Sequence, residues 1–166
     1  MRLYHFTSLG HLPVILATGG LWRGEVPIGD GTESLRGTWF TSDPDGAEHG
    51  LDGSGVDKRA VRIVVVFPRG DRRVEPWLKL ARKITAPEYI ATLVASGGGK
   101  RKAETWYVCP AQIPPEQFRL IELRGSDGRY APATPEQIAA LVAHDGLYDE
   151  VVEDFCQMRI KAGRAA

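Results

Sequence analysis

The segment RAVRIVVVF, residues 59 to 67, constrains the fold of this chain more than any other. Its β-branched residues favour an extended strand, and the run from Ile63 to Phe67 is too apolar to keep one face in water. Such a strand needs neighbours on both sides and side chains packed over both faces. The segment therefore predicts the central strand of a β-sheet.

Shorter patterns on either side of this strand predict further strands and helices. Apolar residues at helical spacing follow an N-cap at Thr7 or Ser8 and stop at Gly19-Gly20. Thr134 begins another helix, with proline at its first position and glutamine at its third. The predicted elements are strands at 2–6, 37–42, 59–67, 104–109 and 117–123, one or two helices in 76–96 broken at Pro87, final helices at 135–144 and 147–161, and mobile loops at 24–36 and 97–102. This order is typical of an α+β fold rather than a regular βαβ array.

Length and composition indicate one soluble domain with a substantial core. The 166 residues are 43% hydrophobic and 25% charged, as in ordinary globular domains. Lysine plus arginine equals aspartate plus glutamate, at 21 each, so charge gives no support to a nucleic-acid or membrane partner, although it leaves nucleic acid open. Cys109 and Cys156 are expected to be packing residues. The chain shows no secretory leader and no bilayer-spanning stretch, which favours the cytoplasm.

The sequence lacks the commonest cofactor motifs. No GxGxxG follows a predicted strand, and there is no P-loop, so a nucleotide site must be built in another way. No group of histidines and carboxylates has the spacing of metal ligands, and we therefore expect no metal. His11 and His49 are expected to lie at the surface.

Three features place polar or aromatic residues where a plain core strand would carry aliphatic ones. They are His5, the group Trp39-Phe40-Thr41-Ser42, and Glu104. A buried glutamate is costly unless it is paired or borders a cleft. Each feature also has an ordinary explanation: a histidine bonded to a carbonyl at the core edge, core aromatics, and an exposed first residue of a strand.

Taken in order, these motifs resemble the ADP-ribosyltransferase superfamily. The chain reads YHFT, then a helix, then Gly-Leu, then a strand WFTS, and much later ETWYV. This is most similar to the histidine–aromatic–glutamate branch, which includes diphtheria-toxin-like and poly-ADP-ribosylating enzymes and small bacterial relatives. The likeness covers about residues 3 to 124. It implies a single domain, 1–166, with a split mixed β-sheet core in about 1–124, peripheral helices, and a C-terminal helical extension at about 134–162.

The resemblance assigns the cofactor side of the site to the first two strand motifs. In such enzymes the first-strand histidine hydrogen-bonds the adenosine ribose of NAD, and the backbone after it holds the nicotinamide carboxamide. An aromatic residue of the second strand packs on the nicotinamide ring, and strand alternation lets only one of Trp39 and Phe40 do so. The cofactor-binding residues implied are His5, Phe6, Thr7, Trp39, Phe40, Thr41 and Ser42.

The resemblance makes Glu104 the catalytic carboxylate, together with His5. Glu104 would bind the 2′-hydroxyl of the nicotinamide ribose, because that hydrogen bond strengthens as an oxocarbenium-like centre develops. Nicotinamide leaves as a neutral molecule, so no general acid is needed. Arginine-modifying relatives carry glutamate or glutamine two residues earlier, whereas this chain has Lys102, which argues against arginine as the acceptor.

The expected function is therefore that of an NAD-dependent mono-ADP-ribosyltransferase with NAD as co-substrate and an unidentified macromolecular or small-molecule acceptor. Lys100, Arg101 and Lys102 occupy the loop that helps to recognise the acceptor in the resembled enzymes; alternatively they form a solvated turn. The same site with water as acceptor would be an NAD glycohydrolase. A non-catalytic NAD-binding or interaction module is a further alternative, and an RNA 2′-phosphotransferase is disfavoured by Glu104. A toxin role is compatible with a small enzyme of this type.

Overall fold

The central strand of the computed structural model is β4 (Val61–Val66), with neighbours on both sides as predicted. The structure describes residues 1–51 and 54–143. Ile63, Val64 and Val65 are buried, whereas Val66 is half exposed. Val66 is the last residue of the strand and pairs with the exposed Arg2. The prediction that both faces of the strand are buried is therefore confirmed for the middle of β4 and wrong at its end.

Within residues 1–51 and 54–143, eight strands form one open sheet. The strand order is β5 (Glu75–Pro76), β6 (Trp106–Cys109), β3 (Glu33–Thr41), β1 (Arg2–Thr7), β4, β7 (Phe118–Arg124) and β8 (Tyr130–Pro132), while β2 (Gly24–Ile28) pairs with β3 outside this path. The strand pairs of the described residues are antiparallel, and the parallel contact Gly29–Thr85 is an isolated bridge. The fold is α+β, but the mixed pairing expected is absent from these strands. β2 runs in the same direction as β1, and the turn after β2 reverses the chain, so β3 meets β1 antiparallel.

The helices confirm most of the predicted pattern. They are α1 (His11–Ala17), α2 (Trp77–Ile84), α3 (Pro87–Ser96), α4 (Lys100–Ala103) and α5 (Pro135–Val142). Thr134 caps α5 as predicted: its Oγ1 accepts from the amide of Gln137 at 3.2 Å, and the Gln137 side chain accepts from the amide of Thr134 at 2.9 Å. The predicted helix at 147–161 lies outside the described residues. None of the described helices has the length and apolar character that crossing a bilayer requires.

Side chains alternate between two apolar clusters on opposite faces of the sheet. In β3, Phe40 belongs to a first cluster that includes residues of α1, whereas Trp39 packs against a second cluster built around Trp77 of α2. In β6, Cys109 and Val108 divide between the clusters in the same way. Burial raises the pKa of the Cys109 thiol, as fits a packing residue; Cys156 lies outside the described residues.

The segment 24–36, predicted as a mobile loop, is instead a hairpin formed by β2 and the start of β3. Its turn uses Gly29 and Gly31, both at positive φ, a backbone conformation that glycine adopts without strain. Val26 is buried against the second cluster, whereas Leu35 and the polar residues around it are exposed. The prediction is wrong because one buried residue in β2 leaves too little apolar alternation to reveal a strand.

Candidate active site

Three segments that are distant in sequence meet on adjacent strands, in the order β6, β3, β1. β1 pairs with β4 from Arg2 to Thr7, but its pairing with β3 is confined to Tyr4 and Thr41. Where that pairing stops, Nδ1 of His5 lies 2.9 Å from the carbonyl oxygen of Trp39. The His5 side chain therefore bridges two strands whose backbones are no longer paired at this level.

The hydrogen bond to Trp39 defines the state of the His5 ring. A carbonyl only accepts, so Nδ1 carries the proton and donates it. Burial lowers the pKa of His5 below its ordinary value of 6.5, which keeps the imidazole neutral near pH 7. The remaining nitrogen, Nε2, then has a lone pair that can accept a hydrogen bond from a hydroxyl group. This tautomer suits the binding of a sugar hydroxyl, as the sequence resemblance implies for His5.

The two aromatic candidates on β3 face opposite ways, as alternation requires. Phe40 lies on the His5 face, with ring centroids 6.0 Å apart in an edge-on arrangement, and is only 3% exposed. Trp39 lies on the other face against Trp77 and Trp106, and its Nε1 donates to the carbonyl of Glu25 at 2.9 Å. Of the two, Phe40 is therefore the aromatic side chain next to His5.

The two residues after His5 in β1 are both buried. The Phe6 ring stacks on that of His49, with centroids 6.2 Å apart, and contacts the tilted ring of Tyr130, with centroids 6.0 Å apart, on the face opposite His5. Thr7 is buried at the end of the strand. The Phe6 ring is therefore part of the packing, and its backbone is paired with Arg62 of β4.

The sequence predicts that Glu104 is the first residue of a strand, but in the structure it lies before the strand. It is the C-terminal cap of α4, its amide donates to the Lys100 carbonyl at 3.0 Å, and β6 begins two residues later. The carboxylate is exposed, and within the described part of the chain no side-chain partner holds it. The alternative explanation, that Glu104 is an exposed residue, is therefore correct as far as exposure is concerned. The same exposure makes the carboxylate accessible to a substrate.

Hydrogen-bonded hydroxyl groups connect the end of β3 to the turn at residues 104–105, between α4 and β6, which we call the Glu104 turn. The amide of Asp43 donates to Thr41 Oγ1 at 3.0 Å, and the two hydroxyls of Thr41 and Thr105 are 2.7 Å apart. Thr105 Oγ1 donates to the Lys102 carbonyl at 2.7 Å, so Thr41 is the donor to Thr105. Ser42, whose side chain is exposed, donates its amide to the Thr105 carbonyl at 2.9 Å. The predicted residues Thr41 and Ser42 therefore lie beside Glu104.

The predicted flexible basic loop at 97–102 is ordered by close packing. A Cβ on Gly97 would lie 2.1 Å from the Trp106 ring, and one on Gly98 would lie 2.2 Å from the Glu48 carbonyl oxygen. Lys102 Nζ lies 2.8 Å from Asp43 Oδ2, with both side chains mostly buried. Of the three basic residues expected at an acceptor surface, Lys102 is therefore engaged with Asp43, whereas Lys100 and Arg101 are exposed.

Sequence reasoning missed the segment 43–50, which follows β3 and covers this turn. His49 is half-buried, not a surface residue: its Nδ1 accepts from Trp106 Nε1 at 2.9 Å and its Nε2 donates to the Asp45 carbonyl at 2.9 Å. Burial would raise the pKa of Asp43, but the hydrogen bond from Lys102 holds it below its ordinary value. His11 is likewise buried, against Ser8 Oγ, which also accepts the His11 amide. The N-cap of α1 is Gly10, which provides no side-chain cap, so the predicted cap at Thr7 or Ser8 is wrong.

Stability is expected to fall as pH falls below about 6.5, because His5 and His49 are neutral in the folded chain. Burial lowers the pKa of each imidazole from 6.5. The two histidines contribute their full stabilisation above the imidazole pKa of the unfolded chain. This stabilisation is lost as pH falls from there through the lower pKa values of the folded chain, because the unfolded chain binds protons at a higher pH. Urea unfolding near pH 7 and pH 5.5 measures this, and His49→Asn should reduce the difference. Equal stabilities of the wild type at the two pH values would contradict the assignment.

An open cavity of about 360 Å³ lies at the other end of β3 from Glu104, lined by Leu21, Trp22, Arg23, Arg36 and Gln112. Arg23 and Arg36 are exposed, and no carboxylate of the described residues forms an ion pair with them. The cavity therefore offers positive charge and an indole ring to an anionic ligand. Its lining includes none of the residues that the sequence singled out.

Residues 1–51 and 54–143 contain no cluster of three or more histidine, cysteine, aspartate or glutamate side chains that could hold a metal ion.

The chain matches no protein-family model, no curated protein and no solved structure.

Proposed function

We propose that this protein is an NAD-dependent mono-ADP-ribosyltransferase that cleaves the bond between nicotinamide and ribose. The observation that carries the proposal is that β3 contacts both groups: the Trp39 carbonyl bonds to His5, which packs against Phe40, and the Ser42 amide bonds to Thr105, next to Glu104. Along β3, His5 lies beside Trp39 and Phe40, whereas Glu104 lies beside Ser42. The positions of His5 and Glu104 are therefore separated by about three strand residues, or ~10 Å. Two riboses joined by a diphosphate span a distance of this order.

The proposed reaction needs one carboxylate and a nucleophile. The bond between C1′ of the ribose and the ring nitrogen of nicotinamide breaks, and its electron pair leaves with the nitrogen, which becomes neutral. Glu104 accepts a hydrogen bond from the 2′-hydroxyl and stabilises the positive charge that develops at C1′. The acceptor attacks C1′ and loses a proton. The products are nicotinamide, the ADP-ribosylated acceptor and one proton.

Side chains of β1 and β3 are chemically suited to bind or support other parts of NAD. In this proposal His5 Nε2 accepts a hydrogen bond from a hydroxyl of the adenosine ribose, and Phe40 packs edge-on against the His5 ring. Thr41 positions backbone near Glu104 through Thr105.

The acceptor is a group that reaches an exposed carboxylate. Lys100 and Arg101 flank that approach, whereas the ion pair with Asp43 withdraws Lys102 from it. Water reaches the same position, so hydrolysis of NAD is the alternative outcome on the same residues. NAD labelled in its adenylate group and incubated with purified protein and cell lysate distinguishes the two. Label in macromolecules supports transfer, free ADP-ribose alone supports hydrolysis, and unchanged NAD would refute both.

Replacing His5 by alanine is expected to weaken NAD binding about tenfold, because one buried hydrogen bond to the ribose is lost. The measurement is NAD affinity by calorimetry in a Glu104→Gln background, in which NAD consumption is expected to be slow enough not to interfere. The unfolding midpoint is recorded for both proteins, because His5 also bonds to Trp39. Equal affinity of the two folded proteins would remove His5 from the site.

A further inference from the structure

We propose that the segment 43–50 is a positioning element for Glu104 and that the Asp43–Lys102 ion pair is its principal contact. This inference rests on the proposed function. It assigns a role in NAD cleavage to three residues, Asp43, His49 and Lys102, which make no contact with the reacting bond. They act on the turn that carries the carboxylate.

The first observation is that Glu104 stands at the end of a very short helix. The four residues of α4 have no side-chain cap at their N-terminus, where Gly99 has a φ of 87°. An isolated helix of one turn is unstable in water, so contacts from elsewhere must fix its geometry. The Glu104 side chain is exposed and makes no such contact with the part of the chain that the structure describes.

The second observation is that contacts on both sides of Glu104 come from one segment and from the strand end before it. Two residues before Glu104, Lys102 Nζ is 2.8 Å from Asp43 Oδ2; two residues after it, Trp106 Nε1 donates to His49 Nδ1 at 2.9 Å. Between them, the hydroxyl of Thr105 bonds to that of Thr41. The backbone on each side of Glu104 is thus held while the carboxylate itself is left free.

The third observation concerns the ion pair. The side chains of Lys102 and Asp43 are 17% and 23% exposed, whereas the pair Lys83–Glu75 elsewhere, at 2.7 Å, has side chains 56% and 31% exposed. A partly desolvated pair is screened less by salt and water than an exposed one. Removing either partner of the first pair leaves a poorly solvated charge that favours opening of the turn.

The functional consequence is a loss of turnover rather than of NAD binding. Displacement of a catalytic group by about 1 Å costs on the order of 100-fold in rate. We therefore expect Lys102→Met and Asp43→Asn each to lower kcat for nicotinamide release by about 10- to 100-fold with little change in KM. Lys102→Arg, which keeps the charge, should recover most of the rate. Lys83→Met, which breaks the exposed pair, is the matched control and should leave kcat unchanged.

A second measurement keeps the inference testable without any NAD chemistry. Hydrogen exchange of the backbone amides from Gly99 to Trp106 should accelerate in Lys102→Met and Asp43→Asn but not in Lys83→Met. Unchanged exchange with unchanged kcat would overturn the inference. Faster exchange in a protein whose wild type releases no nicotinamide would keep the structural role and refute the proposed function. A loss of rate that Lys102→Arg does not recover, or a rise in KM alone, would also overturn the positioning role.

Discussion

Glu104→Gln is expected to lower the rate of nicotinamide release from NAD by about 100- to 1000-fold, the size of effect found when one group that stabilises transition-state charge is removed. Glutamine keeps the size and one hydrogen-bonding oxygen, but it has no negative charge to balance the charge that develops at C1′ of the ribose. Because Glu104 is exposed and makes no side-chain contact within the described residues, the substitution should leave stability unchanged.

The measurement for this variant is nicotinamide release alongside NAD affinity. NAD should bind the variant about as tightly as the wild type, because the lost interaction strengthens only in the transition state. Glu116→Gln, which alters another exposed carboxylate in the turn before β7, is the control and should not change the rate. Equal rates for Glu104→Gln and wild type would remove Glu104 from the mechanism.

Trp77→Ala is expected to lower the free energy of unfolding by about 3–5 kcal/mol, the usual cost of truncating a buried tryptophan. Trp77 has no exposed surface, and its ring centroid lies 5.8 Å from that of Trp39 and 5.2 Å from that of Trp106. The second cluster, which it centres, also contains Ala103, the residue before Glu104. The loss should therefore loosen the support of the Glu104 turn as well as the sheet.

Trp77→Phe is the matched comparison for this prediction. The indole Nε1 of Trp77 is buried and has no hydrogen-bond partner in the described part of the chain. Phenylalanine removes that unsatisfied donor while it fills most of the volume, so its cost should be well below that of alanine. Urea unfolding of the three proteins at pH 7 measures both values. A Trp77→Ala cost below about 1 kcal/mol would contradict the packing described.

Local patterns predicted those parts of the fold that depend on neighbouring residues. The apolar run in β4, the helix start at Thr134 and the break at Pro87 each follow from short-range chemistry, and each is present. The hairpin at 24–36 was missed because its outer residues face solvent and do not alternate in polarity.

The candidate site was predictable only in part, for a related reason. His5 and Glu104 stood out as polar groups beside apolar or aromatic ones, but their surroundings depend on residues far away in sequence. Gly97 and Gly98 signal a flexible loop by composition, whereas they are required for contact with Trp106 and Glu48. Nothing local marks His49 as a partner of Trp106, because the pairing depends on how the segment after β3 folds back over the turn.

The most direct test of the proposed activity is a time course of nicotinamide formation from NAD by the purified wild-type protein, with the Glu104→Gln protein beside it. We predict that nicotinamide accumulates over many turnovers with the wild type and stays at the background level with the variant. If both proteins leave NAD intact, with and without lysate as a source of acceptors, the proposed NAD chemistry is wrong. In that case His5 and Glu104 are ordinary residues of a sheet edge and a helix end.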